Sequence, residues 1–132
     1  MDIVVDTNII IWYFDEYSRL TKLAETTVDD AAENGTLFVS SITIVELTYL
    51  IEKDRVPKEV LAKLREALDD DATAFELAGL SRRVADELQN IDRSIVADMH
   101  DRIVAATALH LGLPLVTSDG NLQRLSNVET IW

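Results

Sequence analysis

The run Ile3-Val4-Val5-Asp6-Thr7-Asn8 places an aspartate where a short hydrophobic strand should end. Three β-branched residues bounded by Asp2 and Asp6 are too few for a helix core and read as a buried strand. Asp6 then stands at the strand's carboxyl end, where open parallel α/β sheets build their ligand sites. A second apolar run from Ile9 to Phe14 marks a following helix. A lone Asp at this point is also a favoured helix cap, so its meaning rests on what the remaining acids do.

Strand and helix patterns alternate along the rest of the chain. Tyr17 to Asn34 reads as a helix closed by Gly35, and Thr36 to Ser40 as a second strand. Ile42 to Lys53 is helical, with Ser41 a candidate cap, and Pro57 opens a further helix as Pro does at a first turn. The segment "TAFEL" from Thr73 is a short strand, and Ser81 to Asn90 a helix. Ile95 to Leu111 is Ala-rich, apolar on most sides and therefore a buried helix, ended by Gly112 to Pro114. Leu115-Val116-Thr117 and Val128 to Trp132 complete the strands. Such alternation predicts a three-layer α/β/α sandwich with a central parallel sheet.

The length of 132 residues fits one domain spanning 1–132 with a proper core. There is no cysteine, hence no disulfide framework and no thiolate metal site. No apolar run reaches the roughly 20 residues of a membrane helix, and the start lacks the basic region of a signal peptide. A soluble cytoplasmic protein is the expectation. Twelve Lys and Arg against twenty-four Asp and Glu give a net charge of −12. Such a chain repels nucleic acid at long range unless cations or a local basic patch intervene. Arg outnumbers Lys eight to four, which together with the acid excess is compatible with a high-salt cytoplasm.

Four acids occupy matching contexts. Asp6 ends the first strand. Glu46, in "SSITIVEL", shares a helix face with Ile42 and Leu50 and interrupts their apolar stripe. Asp101 begins the Ala-rich helix one turn after Asp98, and Asp119 follows the strand in "LVTSDGN". Each has a local explanation: Asp6 as a cap, Glu46 as a surface acid, Asp98 with Asp101 as a capping pair, Asp119 as turn chemistry. A parallel sheet would bring all four to one edge. Two carboxylates about 5 Å apart repel by about 3 kcal/mol at an effective dielectric near 20. Several such pairs weigh heavily against a total stability of about 5–15 kcal/mol, so the cluster requires protons or a cation. Oxygen donors without Cys or a His set select a hard cation, Mg²⁺ or Mn²⁺. Such an ion on carboxylates suits phosphodiester hydrolysis, because it activates water and neutralises charge on the phosphoryl oxygens.

At these residues the chain resembles the PIN-domain family, most closely its small single-domain VapC-type toxin ribonucleases. The likeness is carried by "VVDTNIII", "SSITIVEL", "HDRIVAATAL" from His100 and "LVTSDGNL" from Leu115, and it covers essentially the whole chain. It implies an endoribonuclease using Mg²⁺ or Mn²⁺, the toxin of a type II toxin-antitoxin pair. By position Asp6, Glu46, Asp101 and Asp119 match the family's four acids. Asp98 matches a companion acid, and Thr7 and Asn8 the polar pair after the first acid, Asn8 orienting Asp6 or a bound water. The resemblance further implies a homodimer, an RNA substrate, and a cognate antitoxin that inserts Arg or Lys into the acidic cleft. The chain departs from the common pattern in having Leu122 and Leu125 where an aromatic often follows the fourth acid, and in its acidity.

The remaining polar and aromatic residues carry less. His100 and His110 read as helix-end residues. Trp12, Tyr13 and Phe14 could stack on bases, but three consecutive helical residues cannot face one way. Arg82, Arg83 and Arg93 read as solvated surface. A haloacid-dehalogenase-type phosphatase needs a second Asp where Asn8 stands, and a receiver domain needs a late Lys, yet none follows Lys63. The alternative from a different class is a catalytically inactive PIN-like interaction module.

Overall fold

The computed structural model describes residues 1–132. Its sheet contains β1 (Ile3–Val5), β2 (Leu37–Ser40), β3 (Phe75–Ala78), β4 (Leu115–Val116) and β5 (Thr130–Ile131), in the order β3-β2-β1-β4-β5. Every neighbouring pair is parallel. Ile3, Val4 and Val5 are fully buried, as an apolar run covered on both faces should be.

Alternation along β1 divides the core. Ile3 and Val5 join α1 (Thr7–Asp15), α2 (Lys22–Asn34), α3 (Ser41–Glu52) and α4 (Lys58–Asp69) on one face. Val4 joins α5 (Arg82–Glu87), α6 (Met99–Leu111) and α7 (Gly120–Gln123) on the other. This is the expected three-layer sandwich. The chain adds β2 and β3 outward on one side of β1 and then returns to add β4 and β5 on the other. The order therefore reverses between β1 and β4, the point at whose carboxyl ends open parallel sheets form their ligand crevice.

Several boundaries moved, each for a local reason. The helix expected over Tyr17–Asn34 splits into a 3-10 turn at Tyr17–Arg19 and α2, because the Thr21 hydroxyl caps Ala24 N at 3.1 Å. Gly35 does not take a left-handed conformation, since its φ is −147°. It is needed because a Cβ there would run into the Met1 carbonyl. Ser40, not Ser41, caps α3, and Ser41 Oγ instead accepts from Leu80 N at 3.0 Å. The Ala-rich helix starts at Met99 instead of Ile95. Asp92 holds the preceding stretch in a turn by accepting from Ser94 N at 2.9 Å and Ser94 Oγ at 2.7 Å, while Val96 fills the core. Left-handed Gly112 ends α6, with φ 66°. The aromatic run separates as helical geometry requires. Tyr13 and Phe14 pack with Phe75, and Trp12 turns away to meet Trp132 at 5.7 Å between ring centroids. No helix is long and apolar enough to cross a membrane.

Candidate active site

Asp6 occupies the crevice at the reversal of strand order. Its backbone still belongs to the sheet, with Asp6 N donating to Val116 O at 3.0 Å. Its side chain caps α1, Oδ1 accepting from Thr7 N at 2.8 Å. The other oxygen, Oδ2, accepts from the Thr117 hydroxyl at 2.7 Å. Asp6 is only 4 % exposed. A carboxylate so buried and anchored by one bond to each oxygen keeps lone pairs free for a further ligand.

The other acids arrive from three separate elements. Glu46 is half-buried on α3, as are Ile42 and Leu50 of the expected stripe, while the fully buried positions of the helix are Thr43 and Leu47, one residue further on. Asp101 lies in the first turn of α6 and is half-buried. Asp119 follows β4 and caps α7, Oδ1 accepting from Asn121 N at 2.8 Å and Leu122 N at 3.0 Å. The cap reading therefore holds for Asp119. Asp98 is the cap of α6, its Oδ1 accepting from Asp101 N at 3.0 Å. That bond accounts for the spacing of the pair.

The four carboxylates feel one another. Burial pushes the Asp6 carboxyl up to about 6; the bonds from Thr117 and Thr7 oppose the rise, and the charges of Glu46 and Asp119 add to it. Asp101 is pushed up to about 7, again mainly by burial, then by Asp6, Asp98, Asp119 and Glu46. Burial is the main physical cause, and the charges of the neighbouring acids add to it. As they stand the acids do not form a closed cage. No three Asp, Glu or His side chains converge tightly enough to grip an ion. The donor chemistry nevertheless fits a hard divalent cation: carboxylate oxygens from three helix starts and a helix face, with no thiolate and no free imidazole in the set. His100 Nδ1 faces Asp98 Oδ1 at 3.8 Å, on the capping side.

The supporting residues differ from expectation. Thr7 lends its backbone N–H to Asp6, but its hydroxyl shares a 3.0 Å bond with Thr43 and so ties α1 to α3. Asn8 is exposed and makes no hydrogen bond to Asp6. The residue that orients Asp6 is Thr117, which the sequence reading passed over. Thr117 donates to Asp6 and accepts from Asp119 N at 3.1 Å, linking the first acid to the fourth. The register pairs Val5 with Val116, so Asp6 and Thr117 are the next opposed residues. That signal becomes visible once β4 is known to lie beside β1. Arg102, next to Asp101, donates from Nη2 to Leu88 O at 2.8 Å and Ile91 O at 3.2 Å, fastening the start of α6 to the end of the preceding helical segment. Arg82 pairs with Asp86 at 3.7 Å in solvent, and His110 is exposed in the last turn of α6.

The family model for the PIN domain matches residues 3–128. A ribonuclease, VapC22 of Mycobacterium tuberculosis, is 28% identical over 132 residues, covering 98% of each chain. In the solved VapBC2 complex of Rickettsia felis, bound to a DNA fragment from its promoter, one chain superposes with a TM-score of 0.74 at 20% identity. It covers 98% of this chain and 97% of that one. A chain of the DNA-bound VapBC of Salmonella typhimurium gives 0.72 at 21% identity, over 98% and 96%. At these identities the structural likeness speaks for the fold.

Proposed function

The chain belongs to the PIN-domain family, and from that premise we propose that it is a metal-dependent endoribonuclease, the toxin of a toxin-antitoxin pair. The observation that carries the proposal is that Asp6 and Asp119, joined through Thr117 at the ends of β1 and β4, lie near enough to Glu46 and Asp101 for these charges to raise the Asp6 and Asp101 carboxyls. The family membership and the likeness to a ribonuclease support the reaction; the carboxylate cluster supports these residues as its site.

Asp6 and Asp101 are assigned the central part in holding Mg²⁺ or Mn²⁺, with Glu46 and Asp119 completing the set. Asp98 is assigned the cap of α6. When bound, such an ion lowers the pKa of a water nucleophile and offsets the charge developing on the phosphoryl oxygens. The chain's own contribution is orientation. Thr117 and the Thr7 N–H fix the Asp6 carboxylate, so ion and substrate meet a set carboxylate plane. Burial keeps water from Asp6, which strengthens its electrostatic contacts.

The same negative pocket explains how the protein could be silenced. A partner segment offering Arg or Lys would satisfy the carboxylates without chemistry, and this is the contact assigned to a cognate antitoxin. Pairing with a second copy and residence in the cytoplasm belong to the same proposal.

The test is cleavage of RNA by the purified protein, freed of any partner, with Mg²⁺ or Mn²⁺ and with EDTA. Cleavage should need the ion, and both Asp6→Asn and Asp101→Asn should abolish it while the far-ultraviolet circular dichroism stays unchanged. A parent protein that folds, binds a partner and never cuts RNA would establish the inactive interaction module instead.

A further inference from the structure

A groove of about 350 Å³ adjoins the acidic crevice, and its position follows from the two helices that carry the acids. Asp6 caps α1, and Asn8 and Trp12, on the next turns of that helix, line the groove. Glu46 lies on α3, and Leu50, one turn further along the same face, lines the opposite wall. The groove thus leaves the crevice along both helices at once. At 1.5 Å rise per residue, Trp12 lies about 9 Å along the axis from Asp6, on the order of one to two nucleotides of extended single strand.

Trp12 is the one aromatic of the run 12–14 that does not join the Tyr13, Phe14 and Phe75 cluster. Trp132 packs against Trp12 with the rings tilted by 45°, and the Arg19 guanidinium lies over the Trp12 ring, 4.5 Å from its centroid. Arg55 reaches the same groove, is exposed, and has no ion pair with any acid in a chain of net charge −12. Asp15 and Glu16 also line the groove; Glu16 faces Arg19 at 4.0 Å. The Asn8 amide makes no hydrogen bond within the protein, so its two donors and its acceptor are free for a ligand.

We infer that this groove is a single-stranded RNA subsite, in which one base beside the scissile phosphate stacks on the Trp12 ring in place of the Arg19 guanidinium and its phosphate meets Arg55. The inference rests on the ribonuclease reading and adds to it a route for the strand. Base stacking is sequence-tolerant and strong for an indole. A guanidinium matches phosphate geometry and gives the acidic protein a local counter-charge.

The experiment measures KM and kcat for a single-stranded RNA oligomer with Mn²⁺, and the Kd of the same oligomer, end-labelled with a fluorophore, by anisotropy in EDTA without cleavage. Wild-type protein is compared with Trp12→Ala, Trp12→Phe and Arg55→Ala. Trp12→Ala should raise KM and Kd roughly tenfold with kcat within about twofold, and Trp12→Phe should keep most of the affinity. Arg55→Ala, an exposed change, should weaken binding and flatten the dependence of log K on log salt by about 0.7. Unchanged KM and salt slope in both Trp12→Ala and Arg55→Ala overturn the subsite. If those variants bind RNA normally but no longer bind a co-purified antitoxin, the groove is a protein-docking surface and the inference is likewise overturned. A wild-type protein that binds the oligomer through Trp12 without cutting it refutes the ribonuclease reading while keeping the subsite. Absence of both binding and cleavage refutes the two together.

Discussion

Thr117 donates its hydroxyl hydrogen to Asp6 Oδ2 at 2.7 Å, joining residues 111 positions apart at the ends of adjacent parallel strands. The bond stabilises the ionised carboxylate against a burial that otherwise favours the neutral acid. Thr117→Val keeps the shape and removes the donor. Asp6 should then titrate above its present value near 6, and the acidic limb of the pH–rate profile should move to higher pH. At neutral pH kcat should fall roughly tenfold, since a lost hydrogen bond to a charged group is worth about 1.5–3 kcal/mol. Thr117→Ser should restore both. An unmoved acidic limb in Thr117→Val shows that the hydroxyl does not tune Asp6.

The raised carboxyls fix the sign of a stability–pH relation in the absence of divalent ions. Asp6 and Asp101 bind protons in the folded chain up to about 6 and about 7, but in the unfolded chain only near 3.8. Between those values the folded state holds more protons, so stability is greatest below about pH 4 and declines as pH rises to about 7. For buried Asp6 the shift corresponds to about 3 kcal/mol. Asp101 is half-exposed, and solvent screening reduces its share. Thermal melts in EDTA from pH 5 to 8 should show the decline, and Asp6→Asn should flatten it and raise Tm at pH 7.5. A Tm that climbs with pH across that range contradicts the assignment.

Metal should reverse this loss. A divalent cation needs ionised ligands, so its binding releases protons from these carboxyls. Saturating Mn²⁺ should therefore raise Tm more at pH 7.5 than at pH 5, because the stabilising free energy, RT ln(1 + [L]/Kd), grows as Kd falls with pH. Equal rises at both pH values would place the ion on groups that are already ionised, outside this cluster.

Asp98 separates capping from ligation. Asn caps a helix about as well as Asp, whereas Ala costs about 1 kcal/mol. Asp98→Asn should leave Tm and cleavage close to the parent, and Asp98→Ala should lower Tm by a few degrees. A loss of activity beyond about tenfold in Asp98→Asn would make this residue part of the ion's shell.

The fold was legible because β1, β2 and β4 are apolar runs with residues of special chemistry at their ends, and because Pro57 and Gly112 punctuate the helices as their backbones require. The candidate acids stood out for a related reason, since Asp6, Asp101 and Asp119 stand at a strand end or a first helical turn and Glu46 interrupts an apolar helix face. What the sequence hid was lateral order. Thr117 acquires its role only from β4 lying beside β1, and nothing local to "LVTSDG" announces that neighbour. Local polar competition also defeated the periodicity. Asp92 holds Ile95 and Val96 in a turn although their pattern continues into α6. Trp12 could not be told from Tyr13 and Phe14 until Phe75 and Trp132 supplied the two sides.

The most direct measurement is a crystal of the protein grown with Mn²⁺, with anomalous scattering used to locate the ion. The account predicts one or more peaks in the crevice between β1 and β4, in contact with Asp6 and Asp101, with Glu46 and Asp119 turned toward them. An ion bound only at other carboxylates, in protein that cuts RNA, would contradict it.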